Sequence, residues 1–188
     1  MGAIGYREAR AEDADALGAL HVASWRETYA CLLPKAAIEA QSAQARAAMW
    51  RGVLEDPSAF GGTGVFLAET QGKSIGFAAC LGQRDEALQR QGFSGEFGAV
   101  YVLRHHQGGG VGRALMALMA GHLLIQRRTA AALWVLRENR AARAFYGRLG
   151  GAVVAEREEE QAGTALTEIA YGWRDIRPLL AAGAAPEP

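Results

Sequence analysis

The sequence predicts a mixed α/β domain in which helices flank a central sheet, mostly antiparallel but holding one parallel strand pair. Three observations predict it. Phe97 to Leu103 (FGAVYVL) is apolar at nearly every position, the pattern of a strand covered on both faces. Helical periodicity from Gly110 to Gln126 and a second apolar run, Ala131 to Leu136 (AALWVL), come next, and a strand, helix, strand succession joins parallel neighbours by a right-handed crossover. The other strand-like runs are short and bounded by turn residues, as in antiparallel hairpins.

Ile4 to Arg10 is the first expected strand. Glu12, Asp13 and Asp15 then place negative charge where a helix exposes its first amides, and Leu17, Leu20, Ser24 and Trp25 follow at helical spacing. Pro34 suits the first turn of a second helix, and a third runs from Ser42 to Leu54 before Asp56-Pro57 stops it. VFLAET and SIGFAACLG, joined through Gln71-Gly72-Lys73, read as a hairpin, and a polar loop continues to Gln91. Arg140 to Leu149 is a helix ended by Gly150-Gly151, and two further strands lie near 152–159 and 165–173. One domain therefore spans 1–180, and the small, proline-containing stretch 181–188 is expected to be a flexible tail.

Half of the 188 residues are hydrophobic, enough to bury a core in one domain. Lys plus Arg number 20, as do Asp plus Glu, so no net field draws the chain to nucleic acid or an anionic membrane. No apolar run approaches the ~20 residues that span a bilayer, and the N-terminus lacks a basic stretch leading into an apolar one. Cys31 and Cys80 stand far apart without metal-ligand spacing, which argues against a metal site and against a disulfide-stapled secreted domain. The expectation is a soluble cytoplasmic protein with reduced thiols, no metal, and no nucleic-acid or membrane partner.

Between the first buried strand and its helix stands Gln107-Gly108-Gly109-Gly110-Val111-Gly112-Arg113. A helix N-terminus leaves about four amides without partners and carries roughly half a positive charge, so it suits a pyrophosphate. Glycines there remove the Cβ atoms that would hold a phosphate off the backbone. An ordinary flexible turn is the other reading. No Gly-Lys-Ser/Thr follows, which excludes a P-loop, and Arg113 stands where a GxGxxG dinucleotide turn would place its last glycine.

After the second apolar strand, Asn139 occupies the position of a helix cap, a role that needs no ligand. Ala142, Phe145 and Leu149 have core-facing spacing, which offsets Tyr146 by one residue, toward a cleft. With these residues in place, the segment from Gly95 to Gly151 resembles the cofactor-binding half of the GNAT superfamily of acyl-CoA-dependent N-acyltransferases. In that family a strand leads into a Q/R-x-x-G-x-G/A turn, matched by Gln107, Gly110 and Gly112. A later strand leads into N-x-x-A-x-x-F/Y-Y-x-x-x-G, matched by Asn139, Ala142, Phe145, Tyr146 and Gly150.

The resemblance implies acetyl-CoA as cosubstrate and a GNAT-like sheet whose two central parallel strands splay apart. The backbone of Tyr101, Val102 and Leu103 would pair with the pantetheine arm. The amides of Gly108, Gly109, Gly110, Val111, Gly112 and Arg113 would hold the pyrophosphate, with Gln107 opening the turn. Asn139 would touch the pantetheine or the cofactor backbone, and the Tyr146 hydroxyl would lie near sulfur. Gly151 departs from the family, which usually places an aromatic or aliphatic residue there. Ser24 to Tyr29, continuing to Leu33-Pro34, is similar to a bacterial subset reading W-R-x-x-Y-x-G-x-x-P, with Cys31 in place of the glycine. That region borders the family's acceptor site, so Trp25 and Tyr29 are candidates for its wall; as aromatics on an amphipathic helix they suit the core equally.

An amine of lysine type has a pKa near 10.4, so at pH 7 only about one molecule in a thousand is neutral and able to attack a thioester. Glu96, at the mouth of the central strand, is the candidate base through water, as carboxylates there are in several family members; a solvated strand-end charge is its other reading. His105 and His106 titrate in a useful range but immediately precede the turn, where solvent or phosphate suits them better. Tyr146 is the candidate acid for the departing thiolate, with packing as its other role, and a backbone amide near Val102 would polarise the carbonyl. The expected activity is transfer of acetyl to a primary amine of a small molecule or protein, and a non-catalytic acyl-CoA sensor or interaction module is the alternative. Polyamine, amino acid, antibiotic and protein N-terminus are all open as acceptors. A homodimer through the last strands is compatible with the sequence, although no residue marks it.

Overall fold

A computed structural model of the chain describes residues 2–30, 32–33, 35–161 and 164–182. Cys31 and Pro34 fall outside them, as do residues 183–188 of the expected tail. Strand β1 (Gly5–Glu8) leads into α1 (Ala14–Tyr29), α2 (Lys35–Glu39) and α3 (Ala43–Glu55). Ser42 caps α3, its hydroxyl accepting from the Ala45 N–H at 3.3 Å. The hairpin β2 (Gly64–Thr70) and β3 (Lys73–Gly82) closes through Gln71 and Gly72, both at positive φ.

The polar loop after β3 contains a short helix, α4 (Glu86–Arg90), that periodicity did not signal. Asp85 starts it by accepting from the Leu88 N–H at 3.0 Å. Then come β4 (Gly95–Val102), α5 (Val111–Ile125), β5 (Ala131–Leu136), α6 (Arg140–Arg148), β6 (Ala152–Gln161) and β7 (Thr164–Trp173). The expected start of the tail is corrected: α7 (Pro178–Ala182) runs through Ala181, and burial of Ile176 and Leu179 seats it against α5.

Among the described residues the sheet has seven strands in the order β1-β2-β3-β4-β5-β7-β6, and only β4 and β5 run parallel. One face packs on α5, whose Leu115, Met116, Met119 and Leu123 are fully buried, and on α6; the other packs on α1 and α3. No helix among the described residues is long and apolar enough to cross a membrane. Cys80 is a buried thiol whose pKa is pushed up to about 12, chiefly by burial.

Two local features shape the centre of the sheet. Against β3, Ala79 pairs with Ala99 and Cys80 with Phe97, which makes Gly98 an extra, bulged residue of β4. A bulge bends and twists its strand. Accordingly β4 meets β5 only at Gly95 with Ala131 and Glu96 with Ala132, and beyond those pairs the two strands diverge. The second feature explains Gly151. A Cβ there would lie 2.6 Å from the Trp173 ring, because that indole fills the space beneath α6 and its N–H donates to the Leu149 carbonyl at 2.8 Å. Where the family usually places an aromatic or aliphatic residue at 151, here the Trp173 ring of β7 occupies the adjoining space.

Candidate active site

The diverging strands open a cleft of about 450 Å³. The Leu103 N–H donates to the Ile75 carbonyl of β3 at 2.9 Å. Strand alternation turns the Tyr101 backbone the same way, and turns the backbones of Val100 and Val102 toward the cleft. The expected trio is therefore divided. Val102, with Val100, turns main-chain groups toward the cleft, whereas those of Tyr101 and the Leu103 N–H are engaged by β3, and the Leu103 carbonyl accepts from the His106 N–H at 2.8 Å. The Val102 carbonyl accepts from Gln107 Nε2 at 2.8 Å, which fixes the start of the turn.

The turn itself is tied to α1, since the Arg104 N–H donates to Glu27 Oε2 and its guanidinium to the Glu27 carbonyl, each at 2.8 Å. Gly108 and Gly110 have φ of 80° and 86°, and a Cβ on either would meet no atom within 4 Å. Gly110 starts α5 without a side-chain cap, and the first helical bond joins the Ala114 N–H to the Gly110 carbonyl at 3.0 Å. The amides of Val111, Gly112 and Arg113 thus stand at the positive end of the helix with no carbonyl beneath them. Open space before uncommitted amides fits a diphosphate. Gly108 and Gly112 line the cleft; Gly109, Gly110, Val111 and Arg113 lie beyond its walls, and the Val111 side chain is in the core.

Asn139 reaches the cleft and also caps α6, its Oδ1 accepting from the Ala142 N–H at 3.2 Å. On the same helix the expected burial is reversed. Tyr146 is 8% exposed, while Ala142, Phe145 and Leu149 are only partly buried. Tyr171 and Trp173 of β7 surround the Tyr146 ring, the latter edge-on at 6.2 Å between centroids, and the ring still forms part of the cleft wall.

Two further phenols, Tyr29 and Tyr101, join Tyr146 in lining the cleft. Burial raises the pKa of all three, and Tyr29 adds to the shift of each of the other two. Each is neutral at pH 7 and so able to donate a proton or a hydrogen bond. Trp25 does not reach the cleft. It packs with Leu33, Leu136 and Leu166 and lies 4.9 Å from the Tyr29 ring, so of the two aromatics expected near an acceptor only Tyr29 forms the wall.

Glu96 is buried and outside the cleft wall. Its Oε2 accepts from the Arg84 N–H and Nε, both at 3.1 Å, and its Oε1 accepts from Arg84 Nη2. Sequence reading missed this arginine, which lies in what looked like a featureless loop. It also missed Trp134, a cleft residue inside the apolar run AALWVL. The signal was present, since a half-buried indole N–H needs an acceptor; here it donates to Asp85 Oδ2 at 3.2 Å.

A cleft between diverging parallel strands, closed at one end by an uncapped helix and walled by neutral phenols, defines the class of acyl-CoA-dependent transferases. A family model described as acetyltransferase (GNAT) domain matches residues 61–150. The chain is 33% identical over 174 residues to the uncharacterised N-acetyltransferase YuaI of Bacillus subtilis (strain 168), a match covering 92% of this chain and 94% of that protein. It is 40% identical over 94 residues to the mycothiol acetyltransferase of Streptomyces coelicolor, a match covering 48% of this chain and 28% of that one. The PaiA N-acetyltransferase of Thermoplasma acidophilum, solved in complex with coenzyme A, has a TM-score of 0.69 at 18% identity and covers 89% of this chain and 98% of its own. YncA of Salmonella typhimurium, solved with acetyl-CoA, has a TM-score of 0.69 at 20% identity over 98% of both chains. The chain belongs to the GNAT family and is an acyl-CoA-dependent acetyltransferase.

Proposed function

We propose that the protein transfers the acetyl group of acetyl-CoA to a primary amine of a small molecule or protein in the cytoplasm. One observation carries the reading: β4 and β5 part in front of a helix that starts at Gly110 with uncommitted amides. The pyrophosphate binds to the amides from Gly108 to Arg113. The pantetheine arm runs along the main chain of Val100 and Val102, beside Asn139. Two of the solved structures of similar fold hold coenzyme A and acetyl-CoA, which supports acetyl-CoA as the ligand of this cleft.

The neutral amine nitrogen attacks the thioester carbon, and a cleft-facing backbone N–H receives the charge that develops on oxygen. As the intermediate collapses the carbon–sulfur bond breaks, and the Tyr146 hydroxyl donates its proton to the departing thiolate. Glu96, acting through water, takes the proton lost from nitrogen once Arg84 releases its carboxylate. Glu96→Gln is then expected to lower kcat about tenfold with acetyl-CoA affinity retained, and an unchanged kcat assigns that proton to another group.

The test of the function is release of the CoA thiol from acetyl-CoA against polyamines, amino acids, amine-bearing antibiotics and peptides with free N-termini. Acetylated product from at least one class is expected. Tight acetyl-CoA binding with no product from any of them would overturn the amine reading.

A further inference from the structure

The amine reading leaves open what the acceptor meets as it approaches, and side-chain alternation across the cleft identifies one such contact. Glu96 pairs in register with Ala132, so the next residues on that face of β5 are Trp134 and Leu136. Their partners on β7, Ala170 and Glu168, share the face. On β4 the same face carries Ala99 and Tyr101, which pack toward α1. Leu133 and Val135 point the other way, into the core beneath α5, with Tyr146 of α6. Trp134 therefore borders the cleft from the side opposite the helices that flank the cofactor, two residues beyond the last β4–β5 pair.

Its indole is held from two directions. The N–H donates to Asp85 Oδ2 at 3.2 Å, and the Arg157 guanidinium stands 4.3 Å over the ring centre. Arg157 is fixed in turn: Nε and Nη2 donate to Glu168 Oε2 at 2.8 and 2.6 Å, Nη1 donates to Asp85 Oδ2 at 3.1 Å, and Glu159 lies 2.9 Å from Nη2. Asp85 keeps its other oxygen on the α4 cap. A planar group so restrained cannot swing aside for a bulky substituent, and side chains locked by their supporting contacts are what make a site selective.

We propose that Trp134 is the wall of the acceptor pocket that selects among amines by the bulk next to the nitrogen, in the cleft that Tyr29 and Tyr101 also line. This rests on the amine reading. The experiment compares kcat/KM for ethylamine, isopropylamine and benzylamine in the wild type, Trp134→Ala and Trp134→Phe, with acetyl-CoA binding followed by calorimetry. Removing the wall is expected to raise the benzylamine to ethylamine ratio about tenfold in Trp134→Ala and by less in Trp134→Phe, with the acetyl-CoA Kd within about twofold of wild type. An unchanged ratio overturns the proposal, and so does an unchanged ratio with weakened acetyl-CoA binding, which would make the indole part of the cofactor site. Should Trp134→Ala fail to bind acetyl-CoA at all, Trp134→Phe alone decides, and an unshifted ratio again overturns it. A wild type that binds acetyl-CoA but acetylates none of the three amines, nor any of the broader panel, brings down the amine reading and this wall with it.

Discussion

The two faces of the sheet solve their chemical problems by different means. On the α5 and α6 side the uncommitted polar groups are backbone: the amides at Gly110 and the strand edge at Val102, set in apolar packing. On the α1 side the polar groups are side chains that restrain one another behind the cleft wall, among them Arg84 with Glu96, Trp50 with His21, and Arg157 with Asp85, Glu159 and Glu168. A backbone site is specified by local spacing and is insensitive to pH, whereas a side-chain site depends on partners far apart in sequence and on their ionisation. The contrast teaches that the backbone half is built to be general and the side-chain half to be particular.

The largest expected effect lies on the side-chain face. His21 accepts the Trp50 indole N–H on Nδ1 at 3.1 Å, and burial, then the charge of Arg46, lowers its pKa from 6.5 to about 4. Between those values the unfolded chain binds the proton and the folded chain does not. Stability is thus full above pH 6.5 and falls as the pH drops toward 4, by roughly 3 kcal/mol at about 1.4 kcal/mol per unit. Denaturant midpoints measured from pH 7 to 4 should show this slope, and His21→Gln should flatten it; an equal slope in both would detach pH sensitivity from this face. Next, Gly110→Val forces a β-branched residue to a φ of 86° in front of the amides. Its acetyl-CoA Kd should rise about a hundredfold by calorimetry, and an unaltered Kd would refute the backbone cradle.

A smaller effect tests the side chain that crosses between the faces. Tyr146→Phe should lower kcat about tenfold under conditions where chemistry limits the rate, with acetyl-CoA affinity retained. No change in kcat would reduce Tyr146 to packing. The smallest contrasts the two helix starts on the cleft. Asn139→Ala removes the cap of α6 and should cost about 1 kcal/mol in thermal or denaturant unfolding, while α5, already without a side-chain cap, has no such loss to suffer. A neutral Asn139→Ala would show that the cap bond is not what holds α6.

What could be read in the sequence follows the same division. Glycines from Gly108 to Gly112, between an apolar strand and a periodic helix, announce a turn with free amides, because that geometry is local. The strands Phe97 to Leu103 and Ala131 to Leu136 were legible from unbroken apolar character, and Asn139 from its place before a helix. The surroundings of Glu96 were not, since Arg84 reaches it from across a β3–β4 connection with no pattern of its own. Helical spacing misjudged Tyr146 because periodicity ranks the faces of a helix without knowing that Tyr171 and Trp173 would close over one of them. The Gly98 bulge was equally hidden; one surplus residue leaves no mark on apolar periodicity, yet it accompanies the parting of the strands.

The packing of Trp173 over Gly151 has a consequence for how this fold tolerates change. The hollow under α6 behaves as a fixed volume with two possible tenants, one arriving from the end of the helix and one from the last strand. A bulky side chain at 151 would evict the indole and remove its hydrogen bond to the Leu149 carbonyl, so such a substitution is harmful while Trp173 stays.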